Sequence, residues 1–157
     1  MSGKIEKRLA ELGIELPIMS APLANYVPTR ALGQTLFVSG QVPARDGKDQ
    51  FTGKLGAEYG VEQGQAAARL CAINILAHLR QVLDGDLDRV AGLIRLGGFI
   101  NAVPEFTDHP KVLNGASDLM VEVFGEAGRH ARAAVGVYSL PRNVPVEVDA
   151  IFEIGQK

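Results

Sequence analysis

Residues 130–154 read HARAAVGVYSLPRNVPVEVDAIFEI, and this stretch says most about the architecture. Apolar residues alternate with others through residues 133–139 and again through residues 144–154. A period of two places the apolar residues on one face of a β-strand. Residues 140–143 make only a short connection, so we predict two strands that form an antiparallel hairpin.

Upstream of this stretch, helical and strand-like patterns take turns along the chain. Three segments carry apolar residues at helical spacing, and three are rich in β-branched or alternating apolar residues. The predicted elements are, in order, a short amphipathic helix within residues 1–13, strands at 26–31 and 35–39, a polar surface loop at 44–56, a helix at 61–83, a strand at 90–101 and a helix at 112–123.

Helices between strands, with hairpins at both ends, predict a fold of the α+β class in a single domain over residues 1–157. The expected core is a mixed β-sheet with two helices packed on one face, and residues 1–13 form an N-terminal helical extension. The strand at residues 90–101 shows little polar alternation. The other face of the sheet therefore also needs a cover, and we expect self-association to supply it.

The composition excludes several functional classes. Sixteen Lys+Arg against 18 Asp+Glu give a net charge of −2, which offers no field for a phosphate backbone, so nucleic acid is a poor partner. One cysteine allows no intramolecular disulfide, and the three histidines share no ligand spacing, so no metal site is expected. The charged N-terminus and the lack of an apolar run of about 20 residues predict a cytoplasmic protein without a membrane span.

Two charged residues interrupt the apolar pattern of the last two strands. Arg132 opens the first strand, and Glu147 lies between Val146 and Val148 on the second. In an antiparallel hairpin, both side chains would reach one end of a shared cavity. Charges against apolar surroundings are normally paired, exposed or functional. A cross-strand salt bridge or a solvated outer face is therefore the alternative to an active site.

Three sequence blocks resemble the Rid (YjgF) family of reactive-intermediate imine deaminases. HARAAVGVYSLP at residues 130–141, followed by VEVDAI at 146–151, resembles the C-terminal signature of that family. Tyr26 with LFVSGQVP at residues 36–43 resembles a second family block, and Val112-Leu113-Asn114 resembles the start of the second family helix. The resemblance extends from residue 21 to residue 154.

This resemblance implies both a fold and an activity. The fold is the chorismate-mutase-like α+β fold, in a homotrimer whose sheets form a central barrel and whose clefts lie between subunits. The activity is hydrolysis of 2-imino acids or their enamines, such as 2-aminoacrylate, to 2-keto acids and ammonia, without a cofactor. The expected ligand is then a small 2-imino or 2-keto acid.

The site residues that the resemblance implies fit this chemistry. Arg132 would bind the substrate carboxylate through two parallel charge-assisted hydrogen bonds. Glu147 would hold the attacking water and move a proton. Gly40 and Ala134 would contribute backbone N–H groups. The full set of expected substrate contacts is Tyr26, Ser39, Gly40, Phe99, Asn114, Arg132 and Ala134.

Departures from the family pattern leave other functions open. His130 stands where the family has proline, and whether it takes part in the chemistry is an open question. Ala134 stands where a cysteine is frequent, which excludes a thiol at that position. The alternative function is a non-enzymatic trimer that binds small carboxylates or partner proteins. Endoribonuclease activity is a third, and the acidic charge balance disfavours it.

Overall fold

The computed structural model describes residues 3–21 and 24–156 of the chain. Residues 1 and 2, which begin the predicted N-terminal extension, lie outside the described residues, as do residues 22, 23 and 157. Within the described ranges the elements are α1 (Lys4–Glu11), β1 (Thr29–Leu32), β2 (Thr35–Gln41), β3 (Ala44–Arg45), β4 (Lys48–Asp49), α2 (Val61–Val82), β5 (Val90–Asn101), α3 (His109–Phe124), β6 (Ala131–Val137) and β7 (Val146–Ile154).

Five of the strands form one mixed sheet in the order β1-β2-β7-β5-β6. β5 and β6 run parallel, whereas the other neighbouring pairs are antiparallel. A parallel pair needs a crossover connection, and α3 supplies it. α2 packs against β7 and β2, and α3 packs against β5 and β6, so both helices cover one face. The predicted α+β class, with two helices on a mixed sheet, is confirmed.

The predicted hairpin of the last two strands is wrong. β5 lies between β6 and β7, so these two strands are not neighbours. Their connection contains a 3₁₀ turn at Pro141–Asn143, in which Arg142 and Asn143 have positive φ angles of 53° and 57°. Apolar alternation shows which residues share a face but not which strand pairs with which. The twelve-residue β5 offers both of its edges, and β6 and β7 take one each.

Other boundaries differ less from the prediction. Residues 44–56 are not all loop, because β3 and β4 pair through a tight turn at Asp46 and Gly47. Both turn residues have positive φ, 52° and 72°, as a type I′ turn requires. β1 begins three residues later than predicted, and β6 begins two residues earlier. None of the described helices is both long and apolar enough to pass through a membrane.

The predicted N-terminal helix is confirmed as α1, whose Ile5 and Leu9 are buried. The first turn of α1 is capped by a residue that lies far away in the sequence. The backbone N–H groups of Lys4 and Ile5 each donate to the carboxylate of Asp88 at 2.8 Å. These two bonds, led by the one from Ile5, lower the pKa of Asp88. Asp88, which lies in the 3₁₀ turn Leu87–Arg89, thus accepts from two N–H groups that have no partner within the helix.

The two faces of the sheet differ in burial. Leu96, Ile100, Val148 and Phe152 face the helices and are fully buried. The opposite face, which we call the open face, carries Phe37, Arg95, Phe99, Val135, Glu147, Asp149 and Ile151. Its apolar residues meet in cross-strand pairs, yet Phe37 and Val135 keep 43% and 46% of their surface exposed. The described helices leave the open face without a cover, and the self-association expected to supply one stays a prediction.

Candidate active site

Arg132 lies on the edge strand β6, and its side chain reaches α3. Its register partner on β5 is the fully buried Leu96, so Arg132 belongs to the helix-facing side of the sheet. The guanidinium donates from Nη1 to the Ser117 hydroxyl oxygen (3.0 Å) and from Nη2 to the Pro110 carbonyl oxygen (3.3 Å). A guanidinium has five N–H donors. Arg132 is exposed, so the remaining donors are accessible to a ligand.

The arginine is the last member of a short hydrogen-bonded chain. The Ser117 hydroxyl oxygen also lies 2.8 Å from Nε2 of His130. Nδ1 of His130 lies 2.6 Å from the carbonyl oxygen of Gly128. His130, whose part was an open question, therefore contacts the residue that contacts Arg132.

Two further predicted residues lie on the same side as Arg132. Asn114 stands between Pro110 and Ser117 at a spacing of four and three residues, which places all three on one face of α3. Ala134 follows Arg132 by two residues on β6, and so its side chain points to the same side. We call Asn114, Arg132 and Ala134 the arginine set.

Glu147 lies on the open face, beside Phe99 and above the backbone of β2. Phe99 is its register partner on β5. β2 has a register shift between Val38 and Gln41, and a Cβ added at Gly40 in this bulge would collide with Oε1 of Glu147. The carboxylate is half-buried, and within residues 3–21 and 24–156 it has no hydrogen-bond or ion-pair partner.

The surroundings of Glu147 raise the pKa of its carboxyl. Burial is the main cause, the carboxylate of Asp149 adds to it, and the guanidinium of Arg142 opposes it in part. Both neighbours are already paired. Asp149 lies 3.7 Å from Arg95, and Arg142 makes two bonds to Asp49 at 2.7 and 2.8 Å. A carboxyl group with a raised pKa and no fixed partner is suited to accept and return a proton.

Ser39 lies on β2, and its side chain connects this strand to the segment that contains Tyr26. The Ser39 hydroxyl donates to the carbonyl oxygen of Val27 at 2.8 Å, and this bond fastens the segment before β1 to the strand. Tyr26 is 57% exposed. The Ser39 hydroxyl therefore has a structural partner within its own chain. We call Tyr26, Ser39, Gly40, Phe99 and Glu147 the glutamate set.

Within one chain the two sets do not come together. Leu96 and Phe99 are three residues apart on β5, so they point to opposite faces of the sheet, and their register partners Arg132 and Glu147 do the same. The shared cavity that the predicted hairpin required is therefore absent from a single chain. The salt bridge between the two side chains is absent as well.

Sequence reasoning missed two residues near these sets. Ser117 could have been found, because it lies one helical turn beyond Asn114 and two turns beyond Pro110 on α3. Arg142 had no such signal. Its influence on Glu147 depends on a left-handed backbone conformation, which a non-glycine residue adopts only where the surrounding structure imposes it.

Other polar features of the chain belong to neither set. A cavity of about 610 Å³ opens at the carboxyl ends of β5 and β6. Lys54 lines it and donates to Asn101 Oδ1 and to the Tyr138 carbonyl oxygen, both at 2.6 Å. Cys71 is fully buried, which raises the pKa of its thiol well above the usual value. Among the described residues no group of three or more His, Cys, Asp or Glu side chains is arranged to bind a metal ion.

Comparisons with known proteins give matches that cover nearly the whole chain. The family model described as "YjgF/chorismate_mutase-like, putative endoribonuclease" matches residues 6–153. Protein TCP17 of Trypanosoma cruzi is 49% identical over 98% of this chain and 96% of its own length. A 2-iminobutanoate/2-iminopropanoate deaminase of Dermatophagoides farinae is 25% identical over 90% of this chain and 94% of its own. The crystal structure of Atu1372 from Agrobacterium tumefaciens superposes with a TM-score of 0.89 at 53% identity, covering 96% and 92% of the two chains.

Proposed function

The chain belongs to the YjgF/chorismate-mutase-like family, and from that premise we propose that it hydrolyses small 2-imino acids and their enamine tautomers to 2-keto acids and ammonia. The distant Dermatophagoides relative named as a deaminase supports this activity. TCP17 is more similar, but its name says nothing about chemistry. The proposal therefore rests on the residues of the two sets.

The observation that carries the proposal is the state of Glu147. Its carboxylate is half-buried, lacks a fixed partner among the described residues, and has a raised pKa. Desolvation of a charge is costly, and a fold that needed no reactive carboxylate would pair or expose it. A carboxylate with a raised pKa is a stronger base than that of an ordinary glutamate, so it takes a proton from water more readily.

Arg132 supplies the complementary part, which is recognition of the substrate carboxylate. Its guanidinium is exposed and retains donors beyond the two used by Ser117 and Pro110. Two parallel N–H donors bind a carboxylate in a fixed plane. The C=N carbon of a 2-imino acid is bonded directly to that carboxylate carbon. Binding the carboxylate therefore also positions the carbon that water attacks.

The reaction then balances without a cofactor. Glu147 accepts a proton from water as the water oxygen bonds to the C=N carbon, and it returns that proton to the nitrogen, which gives a tetrahedral carbinolamine. Glu147 then takes the hydroxyl proton as the C=O bond forms and passes it to the nitrogen, which leaves as ammonia when the C–N bond breaks. Backbone N–H groups near Gly40 and Ala134 would stabilise charge that develops at this centre. An enamine such as 2-aminoacrylate enters the sequence after protonation of its terminal carbon.

The proposal includes a homotrimer with its sites between protomers. The exposed apolar residues of the open face need a cover, and a neighbouring copy provides one. The arginine set of one protomer would then meet the glutamate set of the next. A single chain carries the two sets on opposite faces, and this arrangement is useful only if another chain completes each site.

The test generates the unstable substrate within the assay mixture. A pyridoxal-phosphate-dependent dehydratase acting on serine or threonine releases 2-aminoacrylate or its four-carbon homologue, and release of the 2-keto acid is followed with and without the protein. We expect faster release with wild type, and a fall of about 100-fold or more in kcat/KM for Arg132→Ala, because two charge-assisted hydrogen bonds are lost.

Arg129→Ala is the matched control. Arg129 lies three residues away, is 70% exposed and pairs only with Glu126 among the described residues, so its loss should leave the rate unchanged. If wild type gives no acceleration over buffer, the hydrolase proposal fails. If it also binds 2-oxobutanoate without turnover of any imine, the carboxylate-binding alternative replaces it. The carboxylates of Glu147 and Asp149 on the open face argue against an RNA backbone as ligand.

A further inference from the structure

The guanidinium of Arg132 is fixed by a chain of three hydrogen bonds that begins at the backbone. The carbonyl oxygen of Gly128 lies 2.6 Å from Nδ1 of His130, and Nε2 of His130 lies 2.8 Å from the Ser117 hydroxyl oxygen. That oxygen lies 3.0 Å from Nη1 of Arg132. Ser117 and His130 are half-buried, whereas Arg132 is exposed. The chain thus leads from the interior of the protein to a group at its surface.

The direction of each hydrogen bond follows from the first one. A carbonyl oxygen only accepts, so the proton of a neutral His130 is on Nδ1 and its Nε2 is an acceptor. The Ser117 hydroxyl must therefore donate to Nε2, and its lone pairs are left for Arg132. The guanidinium only donates, so this assignment satisfies every member of the chain. The hydroxyl of Ser117, which would otherwise rotate freely, has one orientation.

A second contact fixes the other end of the guanidinium. Nη2 donates to the Pro110 carbonyl oxygen at 3.3 Å, on the same face of α3 as Ser117. Two anchors on one helix define the plane of a flat group. A free arginine side chain carries about 2 kcal/mol of rotamer entropy, which a ligand would otherwise have to remove on binding. Preorganisation by the protein removes that cost before the ligand arrives.

We infer that Ser117 and His130 are positioning residues, which orient the guanidinium of Arg132 to bind the substrate carboxylate. The inference rests on the proposed function and adds to it the residues on which carboxylate affinity depends. His130 acts through Ser117, and Ser117 acts through Arg132. The proline that stands at position 130 in the resembling family has no side-chain acceptor, so it could not orient a serine in this way.

The test measures affinity for 2-oxobutanoate by calorimetry together with KM and kcat for the imine. We expect Ser117→Ala to weaken binding and raise KM by about 10-fold, the effect of one hydrogen bond to a charged group. The same change should leave kcat within about twofold, because carboxylate binding is common to ground and transition states. Ser117→Thr keeps the hydroxyl and should restore most of the affinity.

The double variant tests the order of the chain. Ser117→Ala with His130→Ala should bind no more weakly than Ser117→Ala alone, because His130 has nothing to orient once the hydroxyl is gone. Asp118→Ala is the matched control, since Asp118 follows Ser117 on α3 but is exposed. A merely structural role would instead lower the melting temperature and kcat together and leave KM unchanged.

The results separate failure of this inference from failure of the proposed function. If Arg132→Ala abolishes hydrolysis while Ser117→Ala and His130→Ala behave as wild type, the positioning inference is overturned and the function stands. If wild type hydrolyses nothing but binds 2-oxobutanoate, the binding series still decides the inference. If wild type does neither, both are overturned. Additive losses in the double variant would also contradict it, since independent contacts add.

Discussion

Arg132 and Glu147 are the two charged groups of the proposed site, and their surroundings are opposite in kind. Arg132 is exposed and bonded to Ser117 and Pro110. Glu147 is half-buried and has no bonded partner among the described residues. The first environment fixes the direction of the guanidinium of Arg132. The second environment gives the carboxylate of Glu147 no fixed direction, and burial disfavours its ionised form, which raises its pKa.

The difference corresponds to two chemical tasks. A group that binds a carboxylate must stay charged and point correctly, so solvent exposure with firm anchors suits it. A group that transfers a proton must change charge easily, so partial burial without a strong partner suits it. One sheet provides both environments because Arg132 lies on the edge strand β6, where it reaches solvent, whereas Glu147 lies on the inner strand β7 against the backbone of β2. Substitution of either residue, or of the groups around it, should therefore affect one task and not the other.

The largest effect is expected for Glu147→Gln. This change keeps the size of the side chain and removes the base, so kcat should fall by about 100- to 1,000-fold, the usual contribution of a general base. KM should change little, since Arg132 still binds the carboxylate. Arg132→Lys should act in the opposite way, mainly on KM, because an ammonium cannot bind a carboxylate in bidentate fashion. Steady-state kinetics on the dehydratase-coupled assay measure both.

Glu153→Gln is the control for this substitution, because Glu153 lies on the same strand β7 and is exposed. Its rate should equal that of wild type. A Glu147→Gln variant with full kcat would remove Glu147 from the chemistry and end the division of tasks described above.

A somewhat smaller effect is expected when two inactive variants are combined. If each site takes its arginine from one protomer and its glutamate from another, mixed oligomers of Arg132→Ala and Glu147→Gln contain some complete sites. In a trimer that contains both chains, about one of the three sites receives both intact residues, so roughly a third of wild-type activity should return. Co-expression of two differently tagged variants, purification through both tags and the same assay measure this recovery.

Recovery above the sum of the two separate variants is the informative quantity. No recovery in oligomers that demonstrably contain both chains would mean that Arg132 and Glu147 do not serve one intersubunit site. The mass of the wild-type particle, measured in solution by light scattering, serves as the control for the trimer itself.

Most of the fold could be predicted from sequence because it depends on local periodicity. The bounds of β5 match the prediction at both ends, and α2 differs by one residue, since each carries a long, uniform pattern. Strand pairing could not be predicted in the same way. The hairpin of β6 and β7 failed because the choice of neighbour depends on which strand has free edges in three dimensions. A short connection such as residues 138–145 is compatible with both outcomes.

The residues of the candidate site could be proposed from the sequence, and they stay a prediction, whereas their arrangement could not be proposed correctly. The interrupted apolar pattern pointed to Arg132 and Glu147, and the resemblance gave them roles, yet their opposite faces follow from the position of β5 between their strands. The Ser117 and His130 contacts depend on packing of α3 against β6, which no single motif contains. The influence of Arg142 on Glu147 depends on one unusual turn. These are properties of the tertiary structure.

The smallest expected effect is a shift of the pH profile, and its sign distinguishes the two neighbours of Glu147. As a base, Glu147 must be ionised, so kcat/KM falls as pH drops through the pKa of this group. Asp149 raises that pKa and Arg142 lowers it. Asp149→Asn should therefore move the acidic limb to lower pH, and Arg142→Ala should move it to higher pH.

Each substitution also leaves one former ion-pair partner uncompensated, and the charge of that partner shifts the pKa of Glu147 in the same direction. Asp149→Asn frees the positive charge of Arg95, which further favours the ionised carboxylate, whereas Arg142→Ala frees the negative charge of Asp49, which opposes it. Glu153→Gln should leave the limb in place. If both substitutions moved the limb in the same direction, or neither moved it, the group that titrates in catalysis would not be Glu147. The raised pKa of this glutamate would then reflect its burial on the open face and not its use as a base.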